Sequence, residues 1–112
     1  MTTMPDGAID EDYLARQAGG DRTLATEVLA LFAVQCADQL GLILAGATLQ
    51  DSLDAAHTLK GAASAVGAHR VATAAAQAET ALASDAAAAD LTVLEREVAQ
   101  ARIAIAQRRV DP

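Results

Sequence analysis

Residues 56–68, Ala56-His57-Thr58-Leu59-Lys60-Gly61-Ala62-Ala63-Ser64-Ala65-Val66-Gly67-Ala68, read as a helix with two unlike faces, ended by a glycine. At about 100° per residue, Lys60, Gly61 and Ser64 lie within roughly 60° of the direction taken by His57. Leu59, Ala63 and Val66 lie on the other side, the stripe that an amphipathic helix turns toward a core. Gly67 suits the helix end and the turn after it, where a positive φ is favoured. The pattern sets an aliphatic face against a core and shows an imidazole, ringed by small residues, to solvent. It predicts a helical bundle with one place where another molecule comes close to that ring.

Outward from this stretch the same period recurs. Asp51 or Ser52 is positioned to cap the histidine helix. Before it, Asp21 is the expected N-cap of a long helix reaching about Gly46. Its stripe is Leu24, Val28, Leu31, Phe32, Gln35, Leu40 and Ile43, broadened by Leu29, Cys36 and Leu44. Gly41 costs that helix about 1 kcal/mol relative to alanine, enough to bend or loosen it. Gly19-Gly20 separates it from a short helix over about Glu11–Gln17, capped by Asp10 and leaning on the body through Ile9, Tyr13 and Leu14. Residues 1–8, with Pro5 and Gly7, read as a flexible lead-in. Downstream, a helix from about Ala68 to Ala83 carries Val71, Ala75, Ala78 and Leu82 on one side. A polar break follows, with an alanine run at 86–89 that can stay helical. A last helix from about Leu91 to Arg108 carries Leu91, Leu94, Val98, Ala101 and Ile105. The expected fold is all-α: an antiparallel up-down-up-down four-helix bundle with a short extra N-terminal helix, one domain over residues 9–110. A dimer of helical hairpins would show the same pattern.

Composition agrees. Hydrophobic residues make up 53% of the 112 residues but aromatics only 2%, Tyr13 and Phe32, so the apolar content is mostly alanine, the strongest helix former. A net charge of −7 argues against a nucleic-acid binder, which needs basic groups to displace counterions, and against an anionic membrane surface. No apolar run approaches the ~20 residues of a membrane span, and no signal segment opens the chain. Cys36 is alone, so no disulfide framework or cysteine metal cluster is expected, and it should pack as a small apolar residue. A soluble, cytoplasmic monomer is the expectation.

Three observations lift His57 above an ordinary solvated surface histidine. Acidic residues stop at Asp54 and resume at Glu79, and Lys60, Arg70 and both histidines lie between. A phosphoryl group or acidic partner would meet little repulsion in that window. Gly61 lies one turn after His57 on the same face, at a cost of roughly 0.5–1 kcal/mol in a chain that uses alanine freely. Close approach by a partner accounts for it; a tight contact inside the bundle is the plainer alternative. Finally, if the chain reverses at Gly67-Ala68, His57 and Glu79 both stand roughly 15 Å from the turn at ~1.5 Å per residue. A carboxylate beside imidazole Nδ1 fixes the tautomer and leaves Nε2 as the free nucleophile. Otherwise Glu79 is a solvated helix charge. Other chemistries fare worse. His57 and His69 fall at opposite heights of the hairpin, so no metal site is expected. Ser64 has neither a strained turn nor an oxyanion hole. No glycine-rich phosphate loop is present, so no nucleotide or other cofactor is expected.

The run Ala56-His57-Thr58-Leu59-Lys60-Gly61, followed by Ser64 and Val66-Gly67-Ala68, resembles the signature of histidine-containing phosphotransfer (HPt) domains. The resemblance is strongest over about residues 50–80. It extends more loosely to Gly19-Gly20-Asp21 with Leu29 and Phe32. It implies a helical bundle whose histidine takes a phosphoryl group from the aspartate of one receiver domain and gives it to another. On this resemblance His57 is phosphorylated through Nε2, Lys60 offsets phosphoryl charge, and Glu79 holds Nδ1. Gly61 leaves room for the receiver, Ser64 lies at the docking surface, and Gly67 makes the turn. The docking face would also draw on the Asp10–Leu14 helix, with Leu14 among its residues. The implied partners are the receiver domains of a hybrid sensor kinase and of a response regulator, whose own Mg²⁺ would stabilise the transferring group. The protein would be a phosphocarrier without kinase activity of its own. Family members often carry bulkier residues where this chain has Val71, Ala75 and Ala78, which thins the core there unless that helix packs closer. A receiver-binding decoy without phosphotransfer, or a plain structural bundle, would carry much of the same pattern.

Overall fold

The computed structural model describes residues 7–108. All regular structure in them is helical: α1 Glu11–Gln17, α2 Arg22–Ala45, α3 Leu49–Val66, α4 His69–Asp85 and α5 Thr92–Gln107. Of the expected lead-in, only Gly7 and Ala8 fall within the described residues, and residues 109 and 110 lie outside them.

Short polar side chains set three of the helix starts. Asp10 Oδ1 accepts from the Tyr13 N–H, Asp21 Oδ1 from Leu24 N–H and Thr48 Oγ1 from Asp51 N–H, each at 3.0 Å. The third corrects the sequence expectation, because the cap of α3 is Thr48 rather than Asp51 or Ser52. Gly46 closes α2 at φ 56°, Thr48 is extended, and α3 begins at once. Ser52 is therefore buried inside α3, where its hydroxyl donates to the Ile43 carbonyl at 3.1 Å and ties α3 to the last turn of α2. α4 ends at Asp85 and the alanine run leaves the helix, with Ala88 N–H turned back onto the Asp85 carbonyl and carboxylate.

The four long helices meet in the pairs α2–α3, α3–α4, α4–α5 and α5–α2, a ring around one core. Phe32, Leu14, Leu29, Leu59, Leu94, Val71 and Cys36 are its largest fully buried side chains. Ala56, Ala63, Ala75 and Ala78 are buried too, and α3–α4 is the most extensive helix contact among the described residues. Small residues on both helices allow that approach. Burial pushes the Cys36 thiol above its ordinary pKa.

α2 departs from its expected stripe. Its buried residues are Ala25, Leu29, Phe32, Cys36 and Ile43, while Leu31 is 72% and Leu42 53% exposed, and Leu24 and Leu44 are exposed as well. Apolar residues surround this helix, so three- and four-residue spacing fits more than one face. The helix runs unbroken through Gly41. It also corrects the expectation about membrane spans, because its most apolar 18-residue window has a hydropathy of 1.9, enough in length and composition to cross a bilayer. Glu27 and Asp38 lie within the helix, its buried face packs against α3 and α5, and 22% of that window is buried.

α1 is fastened to the α3–α4 turn. Gly67 has φ +83°, its carbonyl accepts from Asp10 N–H at 2.9 Å, and a Cβ there would stand 3.0 Å from the Asp10 carbonyl oxygen. Asp10 Oδ2 lies 3.2 Å from His69 Nε2, and the Tyr13 ring meets His69 edge-on at 5.3 Å. The Tyr13 N–H, followed by His69, holds the Asp10 carboxyl below the usual carboxylate range. At the other side, Arg108 bonds Glu11 and the Thr26 hydroxyl. Leu14 is the apolar anchor of this attachment at 2% exposure, which removes it from any docking face. An unforeseen ion pair joins α4 to α5: Arg70 to Glu97 at 2.9 Å, with the Glu97 side chain 8% exposed.

Candidate functional site

α3 presents His57 outward because Ala56, Leu59 and Ala63 claim the core side of the same turns. The imidazole is 70% exposed, and its Nδ1 lies 3.5 Å from Glu79 Oε2 on α4. That separation is about half an ångström beyond a made N–H···O bond, within reach of a small side-chain rotation. A carboxylate on that side favours the tautomer with hydrogen on Nδ1, leaving the lone pair on Nε2. The other Glu79 oxygen, Oε1, stands 4.0 Å from Lys60 Nζ. One carboxylate thus sits between the imidazole and the ammonium, and the Gly67-Ala68 reversal sets their common height.

Gly61 and Ser64 continue the exposed ridge below His57. A Cβ built on Gly61 meets no described atom within 4 Å, so among the described residues nothing requires a glycine there. Gly67 is buried in the turn and holds α1, a structural place only.

A shallow cleft of about 430 Å³ opens beside the ring, lined by Gln50, Leu53, Asp54, His57, Thr58, Glu79 and Ala83. It qualifies the acid-free window. Asp54 ends that window in the chain but shares the cleft with His57, one helical turn away, its carboxylate accepting from Gln50 Nε2 at 2.7 Å. The i−3 spacing to His57 was the available signal for this neighbour. On the other side of the ring stand Lys60, 4.0 Å from Glu79, and the exposed Gly61.

A nucleophilic nitrogen in the open, a carboxylate behind its partner nitrogen and a cation one turn on can accept and release an electrophilic group. No curated protein and no solved structure matches the chain. A sequence model of the Hpt domain matches residues 27–109, about three quarters of the chain, from within α2 through the histidine helix to the end of α5. The chain belongs to the Hpt domain family.

Proposed function

We propose that this protein is a phosphorelay intermediary. His57 Nε2 attacks the phosphorus of a receiver-domain aspartyl phosphate, the N–P bond forms as the P–O bond to the aspartate carboxylate breaks, and a response-regulator aspartate later takes the group by the reverse exchange. The observation that carries the reading is the Glu79 carboxylate 3.5 Å behind Nδ1 of an exposed imidazole. Positive charge grows on the ring as Nε2 bonds to phosphorus, and Glu79 lies where it offsets that charge. Lys60 has a flexible stem and can leave Glu79 for the phosphoryl oxygens. Phosphoryl transfer of this kind depends on positioning and electrostatics, which a carrier can share with its partner.

The fold that serves this role is an up-down-up-down arrangement of α2 to α5, supported by the short connections and the ring of neighbouring contacts. The docking face centres on the His57–Gly61–Ser64 ridge. Leu31 and Leu42 are eleven residues apart on α2, three turns, and so share one line; Leu42 lines a hollow with α3 residues, so the line flanks that ridge. An exposed apolar border around a polar centre fits a small, transient contact. A monomer in the cytoplasm suits a carrier that must leave one partner for the next.

The test is to mix the protein with a receiver domain carrying labelled phosphate. Acid-labile, base-stable label is expected on the wild type and none on His57→Gln. Label that survives His57→Gln contradicts the assignment, and binding without label would make the protein a receiver-binding decoy.

A further inference from the structure

We propose that the groove between α2 and α3 receives a lysine or arginine side chain of the receiver partner and so sets which way that partner is turned on His57. The inference rests on the phosphotransfer reading above and names a feature of the partner that the reading leaves open.

The groove encloses about 400 Å³ and is lined by Leu42, Ala45 and Ala55 with Asp51, Asp54 and Thr58 among its polar residues. Asp54 and Thr58 also line the His57 cleft, so the two hollows flank one ridge of α3. An interface burying about 800 Å² per partner covers a disc of roughly 16 Å radius. Thr58 is the next residue after His57, so a partner seated on the imidazole covers the groove as well.

Chemistry selects the occupant. Apolar walls beside carboxylates fit an aliphatic stem ending in a cation. Neither Asp51 nor Asp54 has an ion-pair partner among the described residues; Asp54 has only the Gln50 amide. Asp51 lies in the first turn of α3, where an acid also favours the helix dipole, but Asp54 lies beyond it. Charge along α3 is therefore ordered, with carboxylates on the turns before His57 and the Lys60 ammonium after it. A partner with one basic side chain over the groove meets two carboxylates in one orientation, and turned end for end it would set that cation near the Lys60–Glu79 pair, whose charges offset each other.

The test uses the receiver domain, phosphorylated with acetyl phosphate, that loads His57 fastest. Transfer is followed at about 50 and 300 mM salt for the wild type, an Asp51→Asn/Asp54→Asn pair and an Asp51→Lys/Asp54→Lys pair. Circular dichroism and melting curves check that the fold is intact, and phosphoramidate, a donor too small to dock, checks His57 in the Asp51→Asn single variant, whose changed residue lies outside the His57 cleft. The expected result is a KM about two- to tenfold higher for the asparagine pair and higher again for the lysine pair, with kcat little changed. The salt dependence of KM should flatten in the asparagine pair. Circular dichroism and melting should be the same in all three, phosphoramidate labelling of Asp51→Asn alone should match wild type, and replacing the partner's basic residue by glutamate should rescue the lysine pair. Normal loading of the wild type with KM and salt dependence unmoved in the variants overturns the groove alone. A wild type that no phosphorylated receiver loads overturns the phosphotransfer reading, and the groove with it.

Discussion

Replacing Gly61 by alanine is expected to make the protein more stable and a poorer phosphoryl acceptor in one step. Gly61 lies mid-helix in α3, exposed, and a Cβ there meets nothing within 4 Å. The substitution therefore introduces no internal clash, and it removes a glycine that costs a helix about 0.5–1 kcal/mol. With an unfolding entropy of about 2.1 cal/mol/K per residue, that gain raises the melting temperature of a chain this size by about 2–4 °C. The added methyl stands one turn from His57 on the ridge where the receiver would seat. A displacement on the order of 1 Å at a reacting centre can cost 10²-fold, so transfer should slow by about tenfold or more. Gly41 supplies the control, since it too is exposed within a helix, about one turn before the end of α2, with no described atom within 4 Å of a built Cβ. Gly41→Ala should match the stabilisation and leave transfer unchanged. Melting curves and a labelled-receiver transfer assay on the three proteins decide it. A lower melting temperature for Gly61→Ala would refute the open-space argument; a higher one with an unaltered transfer rate would refute the docking role.

Three other substitutions probe the frame around the site. Glu79→Ala should slow transfer about threefold to tenfold, the scale of a partly exposed charge pair, with melting and circular dichroism essentially unchanged; an unaltered rate removes Glu79 from the mechanism. Gly67→Ala should lose about 2–4 kcal/mol in urea unfolding, from a side chain forced to φ +83° and a Cβ 3.0 Å from the Asp10 carbonyl oxygen that loosens α1; a loss under 1 kcal/mol would contradict this. Asp10 has its carboxyl held below the usual range, so its contribution to stability is complete above the unfolded pKa and disappears as pH falls below about 4. Asp10→Asn keeps the helix cap but should flatten that acid limb of the urea midpoint against pH, and an acid limb identical to wild type would refute the assignment.

The histidine site was legible in the sequence because two local rules suffice to build it. Helical angle puts His57, Lys60, Gly61 and Ser64 on one face, and a tight turn at Gly67 brings His57 and Glu79 to one height. What the sequence hid depends on what each helix packs against. α2 carries leucines on several sides, so spacing alone could not exclude Leu24 and Leu31 from the core or bring Ala25 into it. Leu14 belongs to a helix of seven residues whose buried side is set by where it lands, here against the α3–α4 turn. Asp54 marked the edge of an acid-free window along the chain, yet one helical turn places it in the cleft with His57. The Arg70–Glu97 pair joins residues 27 apart on different helices and has no local signature.

The most direct test of the central claim is to load the protein from a phosphorylated receiver domain and record imidazole ¹⁵N and ³¹P spectra of the product. The expected product carries one phosphorylated histidine, His57, with phosphorus on Nε2 and hydrogen on Nδ1 facing Glu79. Phosphorus on Nδ1, on His69, or on no histidine would contradict it.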